Sequence, residues 1–370
     1  MELNKILRHK KDIEQFLEKI KEAKQLAVDF EFIRKKTYYP IPCLMQISDG
    51  NEIACIDLLE NNLNEFLINK ILTHEREVII HSCTQDLEII ECISKVIPKR
   101  VFDTQIAASF LGYGYQIGYA ELIFKLFEIE LDKSSKLTDW TQRPLTDNQI
   151  EYAVNDVKYL LKAANILKKN LSDEKKDSWY KEEIENCINK YKKSRSEKEL
   201  FKKVKIIKSF KGDKKTLAKV IAVWREEKEK QINLPRNWVF NEEVLEKIVN
   251  HVYENNSIKN NDFFYENFNE KDHYDLISFI DENKNNSIFH EQNITNKLSK
   301  TNKDFVSYIY NQLKMESINL GIAHEIFIPK KDLISMVNSK DLNSKIINDW
   351  RGSNMSKKVY EEIILFLEKS

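Results

Sequence analysis

The chain has 370 residues, too long for one ordinary domain and enough for two or three. Its 59 Lys+Arg balance its 59 Asp+Glu, so net charge announces no nucleic-acid or membrane partner, and any such partner must be met by local charge. Five cysteines (Cys43, Cys55, Cys83, Cys92, Cys187), an odd count with no C-x-x-C pair, argue against a disulfide framework or a zinc knuckle.

The opening MELNKILRHKKDIEQFL is charged throughout and lacks the apolar core of a signal peptide. No apolar run approaches the roughly 20 residues of a membrane span. A soluble, cytoplasmic protein with reduced thiols and no membrane partner is the expectation. Gln25–Ile33 (QLAVDFEFI) is a strand by its alternation, and Leu44–Ile47 with Ile53–Leu58 forms a hairpin turning on Asp49-Gly50. A helix near Leu63–Leu72 precedes a strand at Val78–His81. Helices follow around Asp86–Ile93, Asp103–Leu111 and Tyr119–Phe127. Thr146 with Gln149 forms a capping box that opens one long helix to about Leu171. A hairpin followed by βα units implies a mixed sheet flanked by helices. After Asn170 the character changes. Lys190–Lys215 is crowded with Lys and Arg, and beyond it the periodicity is helical: Thr216–Lys230, Glu242–Asn250 and several short helices from Lys303 to Ser370. The Asn-rich stretches Glu254–Asn261 and Asn283–Asn296 read as loops.

Along Leu26–Ile33 the even positions Leu26, Val28, Phe30 and Phe32 are apolar, which puts Asp29 and Glu31 together on the opposite face. Two adjacent carboxylates repel each other unless a cation or a hydrogen-bond network holds them. On the long helix, Ile150, Val154, Val157, Leu161, Ala164 and Leu167 mark the buried stripe. Tyr152 and Asp156, one turn apart, share another face. Asp86, in HSCTQDLEII, stands where a strand gives way to a helix. Each clue alone has a plain structural alternative: an exposed acid pair, a surface hydrogen bond, a helix-start acid. Hard divalent cations such as Mg²⁺ and Mn²⁺ take oxygen ligands, and two of them about 3.5–4 Å apart can clamp the attacking and leaving oxygens of a phosphodiester. Such a site needs about four carboxylates from separate elements. This chain offers them in the order D-x-E, D, Y-x-x-x-D.

The segments AVDFEFIRKKTYYPIPCLMQIS, HSCTQDLEII, VFDTQIAASFLG, IGYAELI, LDKSSKLTDWTQRPLT and IEYAVNDVKYLL together resemble the exonuclease domain of the bacterial ribonuclease D family. That resemblance implies a ribonuclease H-like α/β domain at 1–172, with Asp29, Glu31, Asp86 and Asp156 holding two divalent metal ions and Tyr152 orienting the attacking water. The implied activity is 3′→5′ exoribonuclease action releasing 5′-mononucleotides. Its implied partner is RNA with a free 3′ end, in particular tRNA precursors, and no protein partner is implied. Thr37, Tyr38, Tyr39 and Gln46 are candidate contacts to the terminal nucleotide, or packing residues around Pro40 and Pro42. Trp140 and Arg143, in DWTQRP, lie in a family segment near the site, and Arg143 could meet phosphate or form a structural ion pair. Asp103 reads as a helix cap and His81 as a strand-end residue.

KKTLAKVIAVWREEKEKQINLPRNWVFNEEVLEKI resembles the start of an HRDC module, carried by Trp224-Arg225-Glu226 and Leu234-Pro235-Arg236. GIAHEIFIPKKDLISMV and IINDWRG, with Trp350-Arg351, resemble a second, more divergent one. The expected partition is therefore the exonuclease domain, a basic helical linker at 173–205, and two small all-α modules at 206–286 and 287–370. Such modules commonly bind nucleic acid, and the basic Lys190–Lys215 stretch could add phosphate contacts. Packing modules joined by a solvated linker are the alternative. A DNA-directed exonuclease and a non-catalytic RNA-binding scaffold are the rival functions.

Overall fold

The structure is a computed structural model that describes residues 6–59, 69–71, 75–193, 200–201, 204–255, 269–286, 289 and 299–369. Its backbone clusters into two compact units: residues 1–33, 42–188 and 294–370, and residues 34–41 with 189–293.

The first unit is built on a six-stranded mixed sheet. Its strands are β1 (Ile6–Leu7), β2 (Gln25–Ile33), β3 (Ile41–Ser48), β4 (Ile53–Asp57), β5 (Glu77–Ile80) and β6 (Val101–Asp103), in the order β1-β4-β3-β2-β5-β6. β3 and β4 form the antiparallel hairpin expected from Asp49-Gly50, with Gly50 at φ 97° supplying the turn that other residues resist. β5 joins β2, and β6 joins β5, in parallel. β2 has the predicted bounds, and Leu26, Val28 and Phe30 are buried. The expected helix near Leu63–Leu72 falls mostly outside the described residues.

Helices α1 (Lys10–Lys19), α2 (Thr84–Ser94), α3 (Thr104–Phe110) and α4 (Tyr119–Phe127) accompany the sheet. The long helix expected after Thr146 is two helices, α5 (Asp147–Lys158) and α6 (Leu160–Asp173), which meet at Tyr159, whose φ −105°, ψ −5° stays in the right-handed region while its N–H turns to Val157 O. The capping box is present. Thr146 N–H donates to Gln149 Oε1 at 3.0 Å, and Gln149 N–H donates to Thr146 Oγ1 at 3.3 Å. Asp103 caps α3, accepting from the backbone N–H groups of Gln105 and Ile106 at 2.8 and 3.2 Å.

The same unit contains the end of the chain: α11 (Lys300–Asn319), α12 (His324–Phe327), α13 (Lys330–Ser339), α14 (Lys345–Asn348), α15 (Trp350–Asn354) and α16 (Lys357–Lys369). Trp350 lies edge-on to Phe110 at 4.9 Å and stacks on Trp179 at 5.7 Å. Trp179 belongs to α7 (Asp177–Lys193), which also supplies Glu183 to Trp350 Nε1 and Arg351. Gly352 is required on steric grounds, since a Cβ there would lie 2.2 Å from Ile347 O.

The second unit is helical. After a 3₁₀ turn at Lys205–Ser209 come α8 (Gly212–Gln231), α9 (Glu242–Asn255) and α10 (Glu270–Asn283). Ile221, Val223, Trp224, Leu245, Ile248, Val249 and Leu276 form its core. Trp224 stacks on Phe240 and donates to Asp275, while Arg225 donates to Phe240 O at 3.1 Å. The Asn-rich stretches expected as loops fall largely outside the described residues, as does part of Lys190–Lys215. Among the described residues no helix is long and apolar enough to cross a membrane.

Candidate active site

Strand alternation on β2 and helical spacing on α5 bring three carboxylates together. One oxygen each from Asp29, Glu31 and Asp156 all lie within 4.8 Å of one another. Burial is their common perturbation. It lifts Asp29 to about 7, opposed by the backbone N–H of Phe30. It lifts Glu31 to about 10, helped by the charges of Asp29, Asp156 and Asp86. Asp156 is also raised well above the usual carboxylate range, by burial and then by Asp29. Three acids this close and this poorly solvated do not ionise together without a compensating cation.

Asp86, in the first turn of α2, is 6% exposed and stands outside that trio. It nonetheless faces the same field. Burial raises its carboxyl well above the ordinary range, and Asp29 is the largest charge acting on it, ahead of Asp103 and Asp156. Tyr152 shares a hydrogen bond with Asp156, which lowers the Asp156 carboxyl. Its phenol is pushed up by burial and by the charges of Asp156, Glu31 and Asp29. Four carboxylates and a protonated phenol from β2, α2 and α5 therefore act on one another. Their donors are all oxygen, a set that fits a hard divalent ion and offers a soft one no thiolate or imidazole.

Of the six residues expected at the substrate, Trp140, Arg143 and Gln46 belong to the first unit, and Thr37, Tyr38 and Tyr39 to the second. Arg143 is a structural residue. Its Nε and Nη2 grip fully buried Asp57 at 2.5 and 2.7 Å, and it also donates to the carbonyls of Trp140, Gln142 and Cys43, which leaves no guanidinium face for phosphate. Trp140 is 2% exposed and packs beside the Tyr152 ring at 6.0 Å. Gln46 is wholly enclosed, its side chain on the face shared with its register partner Cys55, so it presents nothing to solvent. Tyr38 donates to Glu226 Oε1 at 2.5 Å, and its ring has the Arg236 guanidinium 5.3 Å from its centroid. The Thr37 hydroxyl donates to the backbone of half-buried Tyr39 at 2.8 Å. His81 is held by Thr104 Oγ1 and Ile117 O, both at 2.9 Å, and burial lowers its pKa, so it serves as a neutral spacer.

One residue escaped the sequence reading. Lys136, on an exposed turn, is the positive charge that opposes the raised pKa of both Glu31 and Asp156. Its segment, LDKSSKLTDW, carried the family resemblance, but an irregular loop has no periodicity from which to read where a lysine points.

A family model described as a 3′-5′ exonuclease matches residues 4–172, the stretch that holds all five residues of the cluster. A curated ribonuclease D from Sphingobium indicum is 34% identical over 253 residues, 68% of this chain and 65% of that relative. A ribonuclease D from Desulfotalea psychrophila is 32% identical over 254 residues, 67% of each chain. This chain belongs to the ribonuclease D family. The Sphingobium match spans just under two-thirds of that relative's own length. The crystal structure of Escherichia coli RNase D, described as an exoribonuclease involved in structured RNA processing, superposes with a TM-score of 0.80 over 99% of both chains at 22% identity. That likeness extends the ribonuclease D fold to the helical part of the chain, beyond the exonuclease match.

Proposed function

We propose that this ribonuclease D family member is a metal-dependent 3′→5′ exoribonuclease that removes 5′-mononucleotides one at a time. The Asp29–Glu31–Asp156 trio carries the reading, because three half-buried carboxylates within 4.8 Å of one another repel one another unless they hold a cation. Asp29, Glu31 and Asp156 would hold one divalent ion, while Asp29 with Asp86 would hold a second. When bound, such ions supply Lewis acidity toward the phosphodiester and a water made nucleophilic near neutral pH.

The chain's own groups do the rest. Tyr152, its phenol held protonated by burial and by three neighbouring carboxylates, gives its one proton to Asp156, and its oxygen accepts a hydrogen bond from the water and positions it; it is no general base. Asp156 accepts the Tyr152 hydrogen bond and so fixes the ring. The water oxygen attacks the phosphorus of the terminal phosphodiester as the water gives up a proton to solvent, the P–O3′ bond breaks, and the 3′ oxygen takes up a proton from solvent, so the shortened RNA keeps a free 3′ hydroxyl. Lys136 places a cation near the two acids where phosphate charge arrives.

The substrate class follows from the family. The E. coli structure is described as an enzyme of structured RNA processing, and RNA bearing a 3′ extension, such as a tRNA precursor, is the proposed substrate here. The experiment is to incubate the full chain with matched 3′-extended RNA and DNA strands in Mg²⁺ or Mn²⁺, and to repeat it with Asp156→Asn. Release of 5′-mononucleotides from RNA by the wild type alone is expected. Equal turnover by the variant would overturn the site, and preference for DNA would overturn the substrate.

A further inference from the structure

The second unit contains residues 34–41, although these follow β2 directly in the chain. They are tied to the turn after α8. Asn233 Oδ1 accepts from the backbone N–H groups of Tyr38 and Tyr39, both at 3.1 Å, and Tyr38 N–H also reaches Asn233 O at 3.4 Å. The Tyr38 hydroxyl and Arg236 Nε both donate to Glu226 Oε1, at 2.5 and 2.8 Å. Tyr38 is thus an anchor, its ring flanked by Arg236 and Lys230.

The turn itself is firmly built. Leu234 N–H donates to Glu229 O at 2.9 Å, and Trp238 N–H to Pro235 O at 3.1 Å. Asn233 and Asn237 take positive φ values of 51° and 68°, which asparagine tolerates better than most residues. On this rigid turn Trp238 is 56% exposed. An indole held open on a fixed turn offers a ready face on which another planar ring can stack. Arg34, Lys35 and Lys36 are exposed on the clasped segment, and Arg236 is half exposed on the turn. Residues 34–39 and 232–238 carry four cations and no acid.

We infer that the clasped loop pair, 34–39 with 232–238, is a binding site for single-stranded RNA, with Trp238 as the stacking face and Arg34, Lys35, Lys36 and Arg236 as phosphate contacts. An exposed, pre-ordered indole beside a cluster of cations is the combination that holds unpaired strands: bases stack on the ring while the backbone follows the charge. A duplex offers no free base face to the indole and gains only the electrostatic part. This inference rests on the exonuclease reading for its purpose but not for its test.

The test is binding without cleavage. A fluorescently labelled 12-nucleotide single strand of RNA is titrated into the full chain in chelator, and the matching duplex is titrated in parallel. Trp238→Ala should weaken single-strand binding about fivefold or more, and the duplex hardly at all. Lys35→Ala with Lys36→Ala should lower the slope of log affinity against log salt by about 0.7 for each phosphate that is no longer neutralised. These positions are exposed, so thermal melting should stay at the wild-type value. Should Trp238→Ala nonetheless unfold, Trp238→Leu, which keeps apolar bulk but has no ring face to stack on, makes the same comparison. Unchanged single-strand affinity in both sets of variants, or equal losses on duplex and single strand for Trp238→Ala, would overturn the inference. A wild type that binds RNA here yet hydrolyses none would instead overturn the exonuclease reading.

Discussion

Replacing Asp29 with Asn should abolish turnover and yet make the metal-free protein more stable at pH 8. Burial lifts the Asp29 carboxyl from an ordinary 3.8 to about 7. The folded chain therefore keeps a proton that the unfolded chain gives up near pH 4. The resulting stability is whole below about pH 4, declines as the pH rises, and is lost once the pH passes through about 7. At about 1.4 kcal/mol per tenfold change in proton affinity, the full loss is about 4 kcal/mol at pH 8. The half-buried carboxyl keeps some solvent, so that figure is an upper bound. Asparagine keeps the shape and never ionises. It also removes the Asp29 charge that raises Glu31, Asp86 and Asp156. The assay is denaturant unfolding of wild type and variant at pH 5 and pH 8, in chelator and in Mn²⁺. In chelator the variant should lead by up to about 1–2 kcal/mol at pH 5 and by more at pH 8. Mn²⁺ should stabilise the wild type, more at pH 8 than at pH 5, by about 2.7 kcal/mol at a hundredfold excess over its Kd, and the variant far less. A variant less stable than wild type in chelator at pH 8, or an equal gain from Mn²⁺ in both, would refute the reasoning.

Tyr152→Phe removes a hydroxyl that bonds Asp156 but no charge, so kcat should fall about tenfold or more while Mn²⁺ stabilisation persists; steady-state kinetics and melting in the same buffer check both halves. Gly352→Ala puts a methyl 2.2 Å from Ile347 O, and the forced shift should cost about 1–3 kcal/mol or more, read as a lower Tm. In the second unit, burial raises the carboxyl of Glu229 to about 7, with the Arg225 charge opposing. Its contribution to stability is whole below about pH 4 and lost as the pH passes through 7. Glu229→Gln should therefore flatten the decline in stability between pH 5 and pH 8, as followed by denaturant melts.

The candidate cluster was legible where a repeating pattern fixes direction. Alternation along Leu26–Ile33 put Asp29 and Glu31 on one face, and one helical turn joined Tyr152 to Asp156; both pairs meet in the structure. Asp86 could not be placed that way, since a residue in the first turn of a helix has no neighbours in sequence to show which side it takes. For Arg143 the structure takes the ion-pair alternative, and Trp140 lies beside Tyr152. The partner that consumes the Arg143 guanidinium is Asp57, 86 positions earlier, and no local pattern names it. Of the two readings for Gln46, nucleotide contact or packing, no local pattern chooses; the side chain is fully buried on β3, where it is the register partner of Cys55. The break at Tyr159 was hidden because the apolar stripe runs through it from Val157 to Leu161 without losing phase. The attachment of residues 294–370 to the sheet-bearing unit rests on Trp350 meeting Phe110, Trp179 and Glu183, contacts across more than 150 positions that only the folded chain displays.

The most direct measurement of the central claim is the cleavage pattern of a 5′-labelled RNA with a single-stranded 3′ extension, followed over time with Mn²⁺ and with chelator. A ladder that shortens one nucleotide at a time from the 3′ end, present with Mn²⁺, absent with chelator and absent in Asp29→Asn, is the predicted result. Internal cuts at early times, or an unchanged ladder in chelator, would contradict a metal-dependent 3′→5′ exonuclease built on Asp29, Glu31, Asp86 and Asp156.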